Sequence, residues 1–218
     1  MFAAEAKIRT LVVLAHPEKR SFCAELARRA AALLHSVGEV RIIDLYEEAF
    51  DPVIRPAHFP QRASSERFEP MVEQGRQSAT GAVTPDIADH QAALQWCDRL
   101  VLVFPLWWWS MPAILKGWID RVFSTDFAYG SQDLSGRIAM LCATAETKAE
   151  RFAAIDGNNP LHHIERGILK FCGFEVARSF VAANIYSASD ADRHKLLANF
   201  EGLVSQQLAP KTADREST

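Results

Sequence analysis

The sequence lacks the cysteine and histidine patterns that define disulfide frameworks and metal sites. Its four cysteines lie far apart, with no C-x-x-C spacing and no paired histidine ligands: Cys23, Cys97, Cys142 and Cys172. Cysteines distributed in this way are typical of small buried side chains in a reducing compartment. We therefore expect neither a disulfide framework nor a bound metal.

Long hydrophobic runs and clusters of basic residues are missing as well. The first apolar run, residues 11–15, is far too short for a signal peptide or a membrane span, which predicts a cytoplasmic protein without membrane insertion. The formal net charge is -3, and no group of Lys and Arg residues is interleaved with aromatic residues. Nucleic acid is therefore not an expected partner.

Short apolar runs alternate with longer helical patterns, which is typical of parallel βαβ units. The pattern predicts one doubly wound α/β domain over residues 1–208, with five parallel strands and helices on both faces. Among the commoner strand orders of such sheets, we expect 2-1-3-4-5. The predicted strands cover residues 11–15, 40–45, 100–104, 138–142 and 175–183. The predicted helices cover residues 21–36, 87–97, 161–171 and 191–208, with one more directly after Pro112.

Two segments fall outside these elements. Residues 46–85 contain five prolines and little periodicity, and connections of that length are more often functional or interface-forming than idle. We expect a long loop there that contributes to the functional site or to a dimer interface. The polar residues 209–218 are expected to form a disordered tail.

The most informative segment is residues 104–118, in which three successive tryptophans follow a buried strand and precede a helix. Trp107, Trp108 and Trp109 carry large aromatic surfaces and N–H groups that need partners. Their position at the carboxyl end of a strand predicts a wall for a flat ligand. The alternative is that they pack between helices, and one of the three is expected to point into the core.

Ligands of doubly wound sheets bind outside the carboxyl ends of the strands, where the strand order reverses. For the order 2-1-3-4-5 this point lies between strands one and three, so the loops 16–23, 105–111 and 143–148 are expected to converge. The third loop offers the hydroxyl groups of Thr144 and Thr147. An ordinary surface turn is the alternative interpretation of that loop.

The first of these loops has the composition of an anion site. Lys19, Arg20 and Ser21 precede a predicted helix, whose N-terminal N–H groups and dipole favour an anion. The alternative is an ordinary N-cap at Ser21 beside a hydrogen-bonded His16. Because the loop contains no glycine, it is neither a dinucleotide-binding loop nor a P-loop.

Several segments together resemble the NAD(P)H:quinone oxidoreductase family. The most specific is the motif Phe-Pro-Leu-x-Trp-x-x-x-Pro-Ala-Ile-Leu-Lys-Gly-Trp, which begins at Phe104. The similarity spans most of the chain, from about residue 11 to residue 174. The other matching segments are residues 14–22, 44–46, 50–52, 85–91, 127–130 and 167–174.

The resemblance implies a flavodoxin-like fold, a homodimer and a bound flavin, with FAD favoured and FMN as the alternative. It implies that NAD(P)H reduces the flavin and that a quinone or similar flat acceptor then takes two electrons in a ping-pong cycle. The site would lie at the subunit interface. The implied cofactor-binding residues are His16, Lys19, Arg20, Ser21, Phe22, Cys23, Pro105, Leu106, Trp107, Trp108, Trp109, Thr144, Ala145 and Glu146.

Some positions depart from the family pattern. Where the family has Thr-Thr-Gly-Gly in the third loop, this chain has Ala143, Thr144, Ala145 and Glu146. The carboxylate of Glu146 is expected to lower the reduction potential of the flavin. Phe152 and Asp156 align with a Tyr and a His that relay a proton in the best-known members, so no catalytic residue is assigned. Cys23 stands where the family commonly has Asn. His162 and His163 are expected to be helix-surface residues.

Three further hypotheses remain open. The acceptor could be an azo or nitro aromatic compound instead of a quinone. The protein could also resemble the ancillary subunits of glutathione-gated potassium efflux systems, which share the fold and the flavin and regulate a membrane partner. The altered third loop could, finally, have abolished flavin binding.

Overall fold

A computed structural model describes residues 7–154 and 159–209 of the chain, and the elements below lie within them. The tail expected at 209–218 falls outside the described residues from position 210 onward. No helix within the described ranges is both long and apolar enough to cross a membrane.

The centre of the fold is a parallel sheet in the order β2-β1-β3-β4-β5, with β6 also paired to β4. This confirms the predicted strand order and the doubly wound class. The strands are β1 (Ile8–Leu14), β2 (Gly38–Asp44), β3 (Arg99–Pro105), β4 (Ile138–Thr144), β5 (Glu175–Val176) and β6 (Phe180–Ala182).

The fifth predicted strand, residues 175–183, is divided into the short strands β5 and β6, so the single continuous strand expected there is wrong. Ala177 still donates its N–H to the carbonyl of Ala139 in β4 at 2.9 Å, but Arg178 and Ser179 bond to residues of helices instead. The N–H of Arg178 donates to the side chain of Gln207 at 3.3 Å, and the hydroxyl of Ser179 donates to Glu165 at 2.5 Å. These two bonds pull the chain out of the ladder for two residues.

Helices cover both faces of the sheet, which is why all seven residues of β3 are buried. The helices α1 and α7 pack on one face around Leu26 and Phe200, and α3 and α4 pack on the other around Leu94 and Trp118. The helices are α1 (Phe22–His35), α2 (Pro70–Thr80), α3 (Pro85–Trp96), α4 (Ala113–Val122), α5 (Ala149–Ala154), α6 (His162–Ile164, continued by a π-helix over Glu165–Lys170) and α7 (Asp190–Leu208).

The segment 46–85, expected to be a long loop, contains the helix α2 and a short 3-10 turn at Pro56–His58. The buried face of α2 is polar, because the Glu73 carboxylate accepts the Ala63 N–H and the Gln74 amide donates to the carbonyl of Asp120 at 2.8 Å. A helix with a polar buried face lacks the apolar 3.6-residue period on which the sequence prediction depended.

Candidate functional site

A cavity of about 830 Å³ opens at the carboxyl ends of β1, β3 and β4, where the strand order reverses. Its volume lies within the range of about 300–1,000 Å³ that small-molecule sites occupy. All three predicted loops reach it. The lining residues are His16, Glu18, Ser21, Phe22, Pro105, Leu106, Trp107, Trp108, Trp109, Thr144, Ala145, Glu146, Thr147, Ile185, Tyr186 and Arg193.

The three tryptophans form a tight turn at the cavity wall. Trp107 and Ser110 exchange two backbone hydrogen bonds of 3.0 and 2.9 Å. The residues between them, Trp108 and Trp109, have φ values of 50° and 58°. This left-handed region is costly for bulky side chains and tends to be found where function requires it.

None of the three indoles is part of the core. Trp107 is 42%, Trp108 97% and Trp109 36% exposed, so the expectation that one of them points inward is wrong. The reason is the two-residue turn, which lifts its central side chains away from the sheet. The almost fully exposed indole of Trp108 beside a cavity favours a wall for a flat ligand over packing between helices.

The first loop presents hydrogen-bond donors to the cavity. Ser21 caps α1 by accepting the N–H of Ala24 at 3.1 Å, and no acceptor in the described residues bonds the N–H groups of Phe22 and Cys23. The Nδ1 atom of His16 accepts the N–H of Glu18 at 3.0 Å, which leaves Nε2 to carry the proton of a neutral ring. Burial lowers the pKa of His16, which favours that neutral form. These donors suit an anion.

The basic side chains of the same loop do not reach the cavity wall. The Lys19 ammonium pairs with Glu47, and the Arg20 Nε lies 3.7 Å from a carboxylate oxygen of Glu18. Both side chains are largely exposed. The carboxylate that does line the cavity, Glu18, was not among the predicted site residues.

Cys23 lies beneath the first loop and ties it to the third. Its Sγ atom is 3.2 Å from the hydroxyl of Thr144, and burial raises the pKa of the thiol to about 12. Ala145 uses its N–H on the carbonyl of Ala182 and its carbonyl on the N–H of Ile185, so its backbone belongs to the sheet edge. Cys23 therefore positions the site from below without lining the cavity.

Glu146, which follows Ala145, is the first residue of the third loop whose backbone N–H is free to bond a ligand. Glu146 is exposed at the cavity mouth, and its N–H and that of Thr147 donate to no acceptor in the described ranges. The third loop can thus offer backbone donors and one carboxylate.

The two positions aligned with the family's proton relay differ in what the structure shows of them. The ring of Phe152 meets Trp109 edge-on, with centroids 5.3 Å apart. Asp156 lies outside the described residues. His163 is exposed, as expected for a helix surface, but its Nε2 lies 3.4 Å from the hydroxyl of Ser110 in the tryptophan turn.

Besides Glu18, three lining residues were missed by sequence reasoning: Ile185, Tyr186 and Arg193. They follow β6 or begin α7, and the guanidinium of Arg193 donates to the carbonyl of Ile185 at 3.4 Å. The strand topology could have predicted them, because the carboxyl end of the fifth strand also faces the crevice in which doubly wound sheets bind ligands.

The fold and the cavity define a flavodoxin-like α/β protein with a small-molecule site at its topological switch point. A family model described as flavodoxin-like fold matches residues 8–203. The chain is 33% identical over 207 residues to ribosyldihydronicotinamide dehydrogenase (quinone) of Mus musculus, which covers 88% of each protein. It is 32% identical over 205 residues to NAD(P)H dehydrogenase (quinone) 1 of Cavia porcellus, which covers 88% of this chain and 74% of that relative.

Among solved structures, a proposed quinone reductase from Klebsiella pneumoniae superimposes with a TM-score of 0.85 at 31% identity. The match covers 93% of this chain and 86% of that one. The chain belongs to the NAD(P)H:quinone oxidoreductase family, and the resemblance stated from the sequence is confirmed.

Proposed function

We propose that this protein is a flavin-dependent NAD(P)H oxidoreductase that reduces quinones or similar flat acceptors by two electrons. The observation that carries the proposal is the combination, in one cavity, of an exposed tryptophan wall with an anion-binding loop. Relatives of this length and similarity are quinone dehydrogenases, which supports the same activity here.

The residues of the cavity fit a flavin by the chemistry of their donors. A flavin nucleotide combines a flat ring system with phosphate, and the cavity offers aromatic faces at Trp108 and Trp109 and a free N–H group at Phe22, the first residue of α1. A bound flavin would supply two-electron chemistry between a reduced nicotinamide and an acceptor.

The protein's own part would be to bind and orient. The turn of Trp107 to Ser110 would hold its aromatic faces against a flat ligand and keep water from that side. The third loop, with the free N–H groups of Glu146 and Thr147, would bond polar atoms at the edge of a ring. Phe152 would close the apolar side of the slot through its contact with Trp109.

FAD is the flavin that we propose, with FMN as the alternative. The lining residues contributed by the segment after β6 and by α7 include an exposed Tyr186 and the guanidinium of Arg193. An aromatic ring and a planar cation are suited to stacking on an adenine, which only FAD contains.

We also propose that the protein is a homodimer. Exposed apolar side chains border a second groove of about 290 Å³, where the rings of Tyr129 and Phe171 are 5.6 Å apart. Phe171 is 65% and Met71 63% exposed, and Met71 lies in the first turn of α2, within the long segment expected at an interface. A second copy of this chain would bury these side chains from water.

The dimer is tested by sedimentation. Phe171→Glu should produce a monomer, whereas Ile42→Glu, which changes a 52% exposed side chain on the edge strand β2, should leave the dimer intact. Equal masses for wild type and Phe171→Glu would contradict this surface.

The activity is tested on the purified protein by absorbance, with and without added FAD or FMN, followed by anaerobic addition of NADPH or NADH. We expect a bound flavin that bleaches on addition of a reduced nicotinamide and recovers with a quinone. A bound flavin that stays oxidised would instead support the regulatory alternative, and the absence of any flavin binding would overturn the proposal.

A further inference from the structure

The carboxylate of Glu18 occupies an unusual place for an acid. It lies in the loop between β1 and α1, lines the large cavity, and accepts the backbone N–H of Arg20 at 2.8 Å. The N–H of Glu18 itself donates to His16, so both ends of the residue are held in the loop. A negative charge is thus built into the wall that also presents the free N–H groups of α1.

The two cations of the loop, Lys19 and Arg20, do not line the cavity. The Lys19 ammonium pairs with Glu47, and the Nε atom of Arg20 lies 3.7 Å from a carboxylate oxygen of Glu18, in an exposed ion pair that offsets little of the charge. His16 is the other titratable group of the loop in the lining, and burial lowers the pKa of its ring toward the neutral form. Arg193 is the one Lys or Arg in the described lining, and it comes from α7.

The Glu18 carboxylate would repel phosphate groups of different charge to different extents. A phosphate monoester carries about -1.5 to -2 at neutral pH because its second pKa is about 6. In a diphosphate that is esterified at both ends, each phosphorus carries about one negative charge. The FAD diphosphate thus carries about the same total charge as the FMN phosphate, but half of it lies on a second phosphorus farther from the riboflavin. A carboxylate beside the position of the first phosphorus therefore repels FMN, which concentrates the charge there, more strongly than FAD.

We propose that Glu18 is a specificity-determining residue that disfavours FMN relative to FAD. The inference rests on the proposed flavin function and adds to it a residue that sets the choice of flavin. Glu18 acts through its charge, while its hydrogen bond to the N–H of Arg20 keeps the carboxylate in place.

The decisive variant is Glu18→Gln, because the amide oxygen can still accept the Arg20 N–H and only the charge is removed. The matched control is Glu39→Gln, which removes the same charge from an exposed residue of β2, near the end of the sheet opposite the cavity. Flavin-free forms of wild type and both variants would be titrated with FAD, FMN and riboflavin, with flavin fluorescence as the readout.

We expect Glu18→Gln to tighten FMN binding by about threefold to fivefold, which is the size expected for one partly exposed charge. The dissociation constant for FAD should fall less, and that for riboflavin should stay the same. Glu39→Gln should bind all three flavins as the wild type does. Raising the salt to about 1 M should shrink the difference between FMN and FAD in the wild type, since the repulsion is screened.

An unchanged ratio of the FMN and FAD dissociation constants in Glu18→Gln would overturn the role of Glu18 and leave the flavin function standing. A wild type that binds none of the three flavins would overturn the proposed function and the inference with it. A tightening of riboflavin equal to that of FMN would also overturn the role, because riboflavin carries no phosphate.

Discussion

The ring of Phe152 meets the indole of Trp109 edge-on, with the centroids 5.3 Å apart and the planes at 83°. Trp109 is one of two adjacent residues in the left-handed region, so its side chain depends on contacts outside the turn to hold its orientation. Edge-to-face pairs contribute about 0.5–1.5 kcal/mol beyond the area that they bury. Phe152 therefore helps to define the slot that the tryptophan turn lines.

Phe152→Leu should raise the KM for a flat quinone by about 2- to 12-fold, the range that corresponds to the lost aromatic pair. The value of kcat should change little, since the leucine removes no reacting group. Phe152→Tyr is the matched control, because it keeps the ring and should keep the wild-type KM. Steady-state kinetics of the three proteins is the measurement. The same KM for Phe152→Leu and the wild type would refute the contribution of Phe152 to the binding slot.

Trp108→Ala should weaken flavin binding by about 10- to 150-fold, which corresponds to the loss of about 1.5–3 kcal/mol of aromatic burial against the ligand. The melting temperature of the flavin-free protein should not fall, because the indole is 97% exposed and packs against nothing in the core. Flavin content after purification is the measurement, with Trp108→Phe expected to retain most of it. Full flavin content in the Ala variant would exclude Trp108 from the binding wall.

Glu146→Gln should raise the flavin midpoint potential by about 5–20 mV, the value expected for one exposed charge and a two-electron couple. The carboxylate lies at the cavity mouth and disfavours added negative charge on a ligand. Ala145→Gly should change the midpoint potential little, because the N–H and the carbonyl of Ala145 are already bonded to Ala182 and Ile185. Spectroelectrochemical titration would count against this effect if Glu146→Gln matched the control Glu150→Gln.

Gly117→Ala should destabilise the protein by about 1–3 kcal/mol, the usual cost of overpacking. An added Cβ would overlap the carbonyl oxygen and Cα of Pro52, which fit against α4 at this residue. Gly202→Ala in α7 is the control, since its Cβ would meet no neighbour, and it should stabilise the helix by about 0.5–1 kcal/mol. Urea unfolding measures both changes, and a stabilised Gly117→Ala would contradict the packing described here.

Asp98→Asn should destabilise the protein at neutral pH but not at strongly acidic pH. Hydrogen bonds from the Arg9 side chain at 2.8 and 3.2 Å lower the pKa of the Asp98 carboxyl below its ordinary 3.8. A lowered native pKa contributes stability that is fully present above the unfolded value and is lost as the pH falls through the native value. Free energies of unfolding for both proteins should therefore converge below about pH 4, and a constant difference down to pH 2 would argue against the coupling.

Sequence reasoning succeeded where local pattern and burial coincide. The run of residues 100–104 predicts a strand covered on both faces, because it is short and no polar side chain interrupts it. The same reasoning failed for α2, whose buried Glu73 and Gln74 are bonded to residues distant along the chain. A polar residue that is buried through such a partner looks exposed when only its sequence neighbours are considered.

By itself, the sequence determined the doubly wound fold, the strand order and the three loops that line the cavity, because each depends on apolar periodicity and on the family motif. Only the tertiary structure decided which charges face that cavity. Lys19 is turned away by Glu47, which comes from the segment after β2, while Glu18 remains in the wall. Ion pairs and hydrogen bonds between separate loops depend on three-dimensional proximity, and no spacing along one loop encodes them.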